Sequence, residues 1–204
     1  MTGNHSQLEN STEEQTGASP LVDMEKAQRA TKLLLEAIGE DPDNGALPET
    51  WQRRVPEVLQ TLTEGKRDDE KPAIRTFKAE NNELVIKTEI PVHSLCEHHL
   101  LPYYGVAHVA YRPENEVIGL SKLPRYVRWK SRQLTMQEEL TRDIATGLQD
   151  ELGASAVLVQ LSATHLCEAM RGIETSTKTT TRASAGEPTE NDKQQFRTAI
   201  QNHD

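Results

Sequence analysis

The chemistry in this chain is most concentrated at Cys96-Glu97-His98-His99. Thiolate and imidazole are the ligand types that a borderline-soft divalent metal such as zinc prefers. Cys96 and His99 stand three positions apart, so one tight turn can aim both at a single ion. The chain has one other cysteine, Cys167, in Thr164-His165-Leu166-Cys167. Three ligands, Cys96, His99 and Cys167, leave a fourth position open to water, as in a catalytic zinc site and unlike a closed structural one. His98 and His165 then stand beside the metal, free to move protons. The bland alternative is a buried thiol among ordinary histidines. The second cysteine arriving just after a histidine weighs against it.

Those residues need elements to position them. Residues 1–20 are polar and offer almost nothing to bury, which predicts a disordered tail that includes His5. Asp23 can cap a helix running to Ile38, with Met24, Ala27, Thr31, Leu34 and Ile38 on one stripe and Gly39 as the stop. Thr50 can cap a second helix along Trp51, Val55, Leu59 and Leu62, in which Pro56 implies a kink or a later start. Leu84, Ile86, Thr88, Ile90 and Val92 alternate as one face of a half-buried strand that leads into Cys96. A strand over 104–111 follows. A turn at Arg112-Pro113-Glu114-Asn115 and a short strand at Val117-Ile118-Gly119 would complete a hairpin.

Ser121 can cap a helix containing Leu123, Tyr126 and Val127. Thr135 can start another, with Met136, Leu140, Ile144 and Leu148 recurring every fourth residue and Gly153 ending it. A Val- and Leu-rich strand over 156–164 would deliver His165 and Cys167 pointing the same way in extended chain. A Thr-rich strand over 173–184 and a short polar helix around Phe196 and Ile200 close the chain. The order predicts an α+β fold, an antiparallel sheet with flanking helices, divided into a helical part over 21–65 and a catalytic part over 66–204.

At 204 residues the chain makes one domain with tails, and its 35% hydrophobic and 4% aromatic content is lean for a self-sufficient core. Oligomerisation would supply the missing burial. A net charge of -9 argues against general nucleic-acid or membrane-surface binding. Two cysteines make no disulfide framework, the N-terminus lacks the features of a signal peptide, and no apolar run approaches the roughly 18 residues of a membrane span. The expected location is the cytoplasm.

From Cys96 onward the chain resembles the GTP cyclohydrolase I family, of the zinc-dependent type that forms dihydroneopterin triphosphate. Four stretches carry the resemblance: Cys96 to Pro102; Gly119-Leu120-Ser121-Lys122-Leu123 with Arg125; Gln137-Glu138; and Thr164 to Cys167 with Met170-Arg171-Gly172. It is strong over 92–173 and weaker over the rest of 20–200. The resemblance implies a tunnelling-type fold whose sheets join into a barrel in a homodecamer, with active sites between subunits. It implies GTP as substrate, formate release, and a place at the head of pterin and folate biosynthesis. It assigns Cys96, His99 and Cys167 to zinc and His98 and His165 to catalysis. Gln137 and Glu138 go to the guanine, and Ser121, Lys122, Arg125 and Arg171 to the triphosphate. Arg53 and Arg54 resemble a basic pair that reaches a neighbouring subunit's triphosphate.

Blander readings stand beside these. Glu138, three residues after Thr135, also completes a capping box. Ser121 can be only a cap, Lys122 and Arg125 only a solvated helix face, and His93, His108 and His203 structural or terminal. The chain departs from the family pattern at Glu139, where arginine is usual, and after Thr181, which leaves the last strand open. Two other functions compete: a nitrile reductase on a related fold, which needs a nucleophilic cysteine and a nicotinamide cofactor, and a non-catalytic protein in which zinc only staples the chain, which needs a fourth protein ligand.

Overall fold

A computed structural model of the chain describes residues 22–201, so the tail expected over 1–20, with His5, and His203 lie outside the described residues. Helix α1 spans Met24–Ala37, and Asp23 caps it as expected, its carboxylate accepting from Lys26 N at 2.8 Å. Only Thr31 of the anticipated stripe is buried; Leu34 and Ile38 are exposed, as is Leu33 beside them.

The second helical stretch begins earlier than Thr50. It runs from α2 (Leu47–Glu49) through a π-turn at Thr50–Arg54 into α3 (Val55–Leu62). Pro56 explains the irregularity. It has no N–H to give Gln52, whose carbonyl accepts from Gln28 Nε2 of α1 at 2.6 Å instead. Thr50 does not cap; its hydroxyl donates back to Ala46 O at 3.2 Å.

The remaining elements are β1 (Thr76–Lys78), β2 (Val85–Cys96), β3 (Pro102–Arg112), β4 (Glu116–Ile118), α4 (Lys122–Ser131), β5 (Leu134–Thr135), α5 (Gln137–Leu152), β6 (Ala156–His165), α6 (Leu166–Ala169), β7 (Thr179–Gly186) and α7 (Glu190–Gln201). The main sheet has the order β5-β2-β3-β6-β7 and is antiparallel except for the parallel β5–β2 pair. The α+β expectation therefore holds. The expected hairpin at residue 117 does not: β4 pairs with β1 in a separate ribbon. It stays near β3 through Ile118 N, which donates to the Tyr111 hydroxyl at 3.0 Å.

Helices α4 and α5 cover one face of the sheet. Val157, Val159 and Leu161 of β6 point into that core with Leu140, Ile144 and Leu148 of α5. Leu158, on the opposite face, packs with Ala110 under Phe196 and Ile200 of α7. Gly153 ends α5 at φ 55°, the left-handed backbone that glycine adopts without strain.

Strand β2 does not keep one face. Lys87 pairs with Val109 and Ile90 with Ala107, so β2 spends three residues where β3 spends two. Glu89 takes up the extra residue at φ 55°, and its N–H donates to Nδ1 of buried His108 at 3.5 Å. This bulge reverses every side chain beyond it. Leu84 and Ile86 pack beneath α7, whereas Ile90 and Val92 enter the core under α4 and α5.

Helix α7 is tied down by a buried carboxylate. Asp192 accepts from Thr189 N at 2.9 Å and Thr189 Oγ1 at 2.8 Å, while Asp192 N donates to Thr189 Oγ1 at 3.1 Å, forming a capping box. Arg112 of β3 completes the set through Nη2, with Nε at 3.4 Å from Oδ2. The Arg112 guanidinium lowers the Asp192 carboxyl from 3.8 to about 2. A depressed carboxyl pKa stabilises the fold above its ordinary value, and that contribution disappears as pH falls from about 4 to about 2. Asp192→Asn is expected to cost about 2 kcal/mol at pH 7 in urea unfolding and to remove the part of the acid-induced destabilisation that falls in this window.

Candidate metal centre and its cleft

The cysteines meet because β3 lies between β2 and β6. Cys96 ends β2, next to the Leu95–Pro102 pair, and His165 ends β6 opposite Tyr103. The β2–β3 connection is tight: Cys96 N donates to Leu101 O at 2.9 Å, and Cys96 O accepts from Leu100 N at 2.9 Å and His99 N at 3.4 Å. Leu100 pays for that turn with φ 56°, a left-handed conformation unusual for a leucine. The turn brings His99 Nδ1 to 3.9 Å from Cys96 Sγ. Cys167 is not on extended chain as anticipated. It lies in the single turn of α6, with Sγ 3.8 Å from Cys96 Sγ.

These three donors fit a divalent metal. Bonds near 2.3 Å at tetrahedral angles set two thiolates about 3.8 Å apart, and the observed separation is 3.8 Å. The three ligand atoms lie within 4.8 Å of one another, and among the described residues no fourth His, Cys, Asp or Glu joins them. Burial and the neighbouring Cys96 thiol push the Cys167 thiol up, a penalty that a dication would reverse.

A cleft of about 280 Å³ opens over the group, lined among others by His98, His99, Glu138, His165 and Glu168. His98 is exposed, edge-on to His99 with ring centroids 6.2 Å apart, and its Nε2 is 3.9 Å from Glu97. His165 is half-buried, and burial lowers its pKa. Its ring stacks on Tyr103 at 4.5 Å and 14°, and its Nε2 is 2.8 Å from Gln137 Oε1. The Tyr103 hydroxyl is the one buried side-chain polar atom without a hydrogen bond among the described residues, and burial holds it well above the usual phenol range.

The capping box proposed for Glu138 does not form. Thr135 belongs to β5 and donates to Met136 O at 3.2 Å, Met136 occupies the cap position, and Glu138 faces outward in the first turn of α5. Its carboxylate is thus available to a ligand. Gln137 is buried, and its amide is spent on the protein. Arg171 is exposed at the cleft, Nη1 2.9 Å from His99 Nε2. That contact requires Nε2 without a proton, since a guanidinium only donates. His99 would hold a metal through a ring nitrogen, and if that nitrogen were Nδ1, Nε2 would carry the proton and Arg171 would lose this acceptor.

One chain does not bring the other basic residues to this cleft. Ser121 stands at the cap position of α4 without a capping bond, followed by half-buried Lys122. Arg125 lines a separate hollow with Glu64, Glu70 and Arg128. Arg53 is held between Glu49 at 3.2 Å and Glu57 at 3.0 Å. Sequence reasoning overlooked Tyr103, Thr141 and Thr181, which lie behind the site. Pairing across β3 was the available signal for Tyr103; nothing local marks the threonines.

The fold and site define a protein with two cysteines and a histidine that could hold a metal ion at the end of an antiparallel sheet, with two further histidines and a carboxylate in the same cleft. Residues 27–203 match the family model for GTP cyclohydrolase I. A GTP cyclohydrolase 1 of Hyperthermus butylicus is 45% identical over 166 residues, covering 81% of this chain and 84% of that one. Those of Campylobacter lari, 42% identical over 76% of this chain and 83% of the relative, and Streptococcus gordonii, 44% over 80% and 89%, are similarly close. An apo archaeosine synthase QueF-Like structure aligns with 54% of this chain and 100% of its own at 16% identity and TM-score 0.43, too slight a likeness to bear weight. The chain belongs to the GTP cyclohydrolase I family.

Chelator-stripped protein is expected to take up one cobalt ion per chain in equilibrium dialysis, with the intense near-ultraviolet absorption of thiolate ligation. Cys96→Ser and Cys167→Ser should each weaken that absorption and the affinity; full retention by both would refute the site.

Proposed function

We propose that the chain hydrolyses GTP at guanine C8, opens the imidazole ring, releases formate and rearranges the product to 7,8-dihydroneopterin triphosphate. The observation that carries this reading is the Cys96–His99–Cys167 group opening onto a cleft that also holds His98, His165 and Glu138. Zinc is the cofactor that suits two thiolates and an imidazole with one position left open, and when bound it supplies water acidic enough to attack near neutral pH.

The protein's own groups do the rest. Carbon C8 is a poor electrophile, and a protonated imidazole can donate to the purine as the nucleophile adds. His165 stands two residues from a ligand and suits that role; His98 serves the later proton transfers. The outward-facing Glu138 carboxylate accepts from the N1 and N2 donors of guanine, a pair that adenine lacks. Arg171 holds the triphosphate with Ser121, Lys122 and Arg125. Gln137 takes part through His165.

Because α4 of the same chain leaves Ser121, Lys122 and Arg125 away from the cleft, a second copy supplies them in a homo-oligomer, which we take to be a decamer with sites between subunits. Exposed Leu33, Leu34, Ile38, Val58 and Leu59 on α1 and α3 offer apolar surface for assembly. No described helix is long and apolar enough to cross a membrane, and the cytoplasm suits a GTP-consuming enzyme with free thiols. The structural-zinc alternative needs a fourth protein ligand, and none joins the three among the described residues.

Metal-replete protein given GTP should release formate and yield a pterin that fluoresces after oxidation, while ATP gives neither and chelation abolishes both. Glu138→Gln should lower kcat/KM for GTP about 100-fold with the metal retained. His165→Ala with its metal bound should lose turnover; full turnover would refute the assigned chemistry.

A further inference from the structure

His165 has two ring nitrogens, and its chemistry depends on which one carries the proton. The structure answers through Gln137. The Gln137 amide nitrogen lies 3.0 Å from Leu161 O, 2.9 Å from Thr179 O and 3.1 Å from Thr181 Oγ1. Two of these are backbone carbonyls, which can only accept, so the NH2 end of the amide must face them. Rotating the amide by half a turn would set its oxygen against two carbonyl oxygens. The Gln137 oxygen is therefore fixed toward His165, 2.8 Å from Nε2. An amide oxygen cannot donate, so Nε2 must.

The threonines reinforce the direction. Thr141 Oγ1 donates to Gln137 O at 2.7 Å, which leaves Thr181 to donate to Thr141 across 2.6 Å and to accept from Gln137. The two amide hydrogens serve three acceptors, so one is shared, and all three call for the nitrogen on that side. Gln137 is 1% exposed and Thr141 0%, so water does not compete for these bonds. Tyr103 holds the His165 ring flat from the other side, at 4.5 Å and 14°.

We infer that Gln137 is a positioning residue that locks His165 in the tautomer with hydrogen on Nε2, leaving Nδ1 as the nitrogen that exchanges protons with substrate. Gln137 does this from behind the ring, with its amide orientation set by Leu161 O, Thr179 O, Thr181 and Thr141. The inference rests on the reading of His165 as the proton-handling group.

The test separates the two. Solid-state nitrogen-15 NMR of histidine-labelled, metal-loaded protein distinguishes protonated from bare ring nitrogens at any assembly size, and the His165→Ala difference assigns the signal. Wild-type protein at a pH where His165 is neutral should show hydrogen on Nε2 alone. Gln137→Leu should show a mixture of tautomers, with kcat down about 10- to 100-fold, the range for second partners of site residues, and KM within threefold. Gln137→Glu, held as the neutral acid by burial with its OH donating to Thr179 O, keeps an oxygen to accept from Nε2 and should restore the single tautomer and part of kcat. Hydrogen on Nδ1 in the wild type, or an unchanged tautomer and kcat in Gln137→Leu, overturns the inference. So does loss of bound metal in both variants with equal damage, because Gln137 would then be structural. If the wild type has the expected tautomer yet releases no formate, the proposed reaction fails and the inference about Gln137 does not.

Discussion

The structure depends on the pairing of β3 with both of its neighbours. Backbone hydrogen bonds fix β2 on one side and β6 on the other, and the two registers end together: Leu95 opposite Pro102, and His165 opposite Tyr103. Cys96 and Cys167 are separated by 71 positions, yet they are 3.8 Å apart because each follows directly from a strand that β3 aligns. A slip of one residue in either register would turn one cysteine to the wrong face. The candidate metal site is thus a readout of sheet register.

Polar groups around the site divide by burial. Behind the sheet end, Gln137, Thr141 and Thr181 satisfy one another in dry surroundings, where each unpaired group would be costly. In front, His98, Glu138 and Arg171 are exposed and carry few internal bonds. The first set can hold geometry and the second can change partners, which is the division of labour that binding and turnover require.

Much of this was legible in the sequence. Cys96, His99 and Cys167 announce themselves by residue type and spacing; α1 follows from its Asp23 cap, the body of α5 from its fourfold apolar repeat, β6 from its Val and Leu content, and α7 from Phe196 and Ile200. Other features could not be read locally. Strand β2 changes face at Glu89 because of a pairing with His108 on another strand. Thr135 looks like a cap before Glu138, but β5 pairing with β2 takes it into the sheet. Ser121, Lys122 and Arg125 match the family by type, while their place relative to the cleft is a matter of assembly, beyond any single-chain pattern.

The bulge at Glu89 gives β2 two allegiances. Its first half answers to Phe196 and Ile200 of α7, and its second half to the core beneath α4 and α5, which runs up to Cys96. Ile86 and Val92 lie on one strand but belong to different cores. Damage at one should therefore add to damage at the other without amplifying it, as for separated sites. One inserted residue serves as a firebreak between the end of the chain and its chemistry.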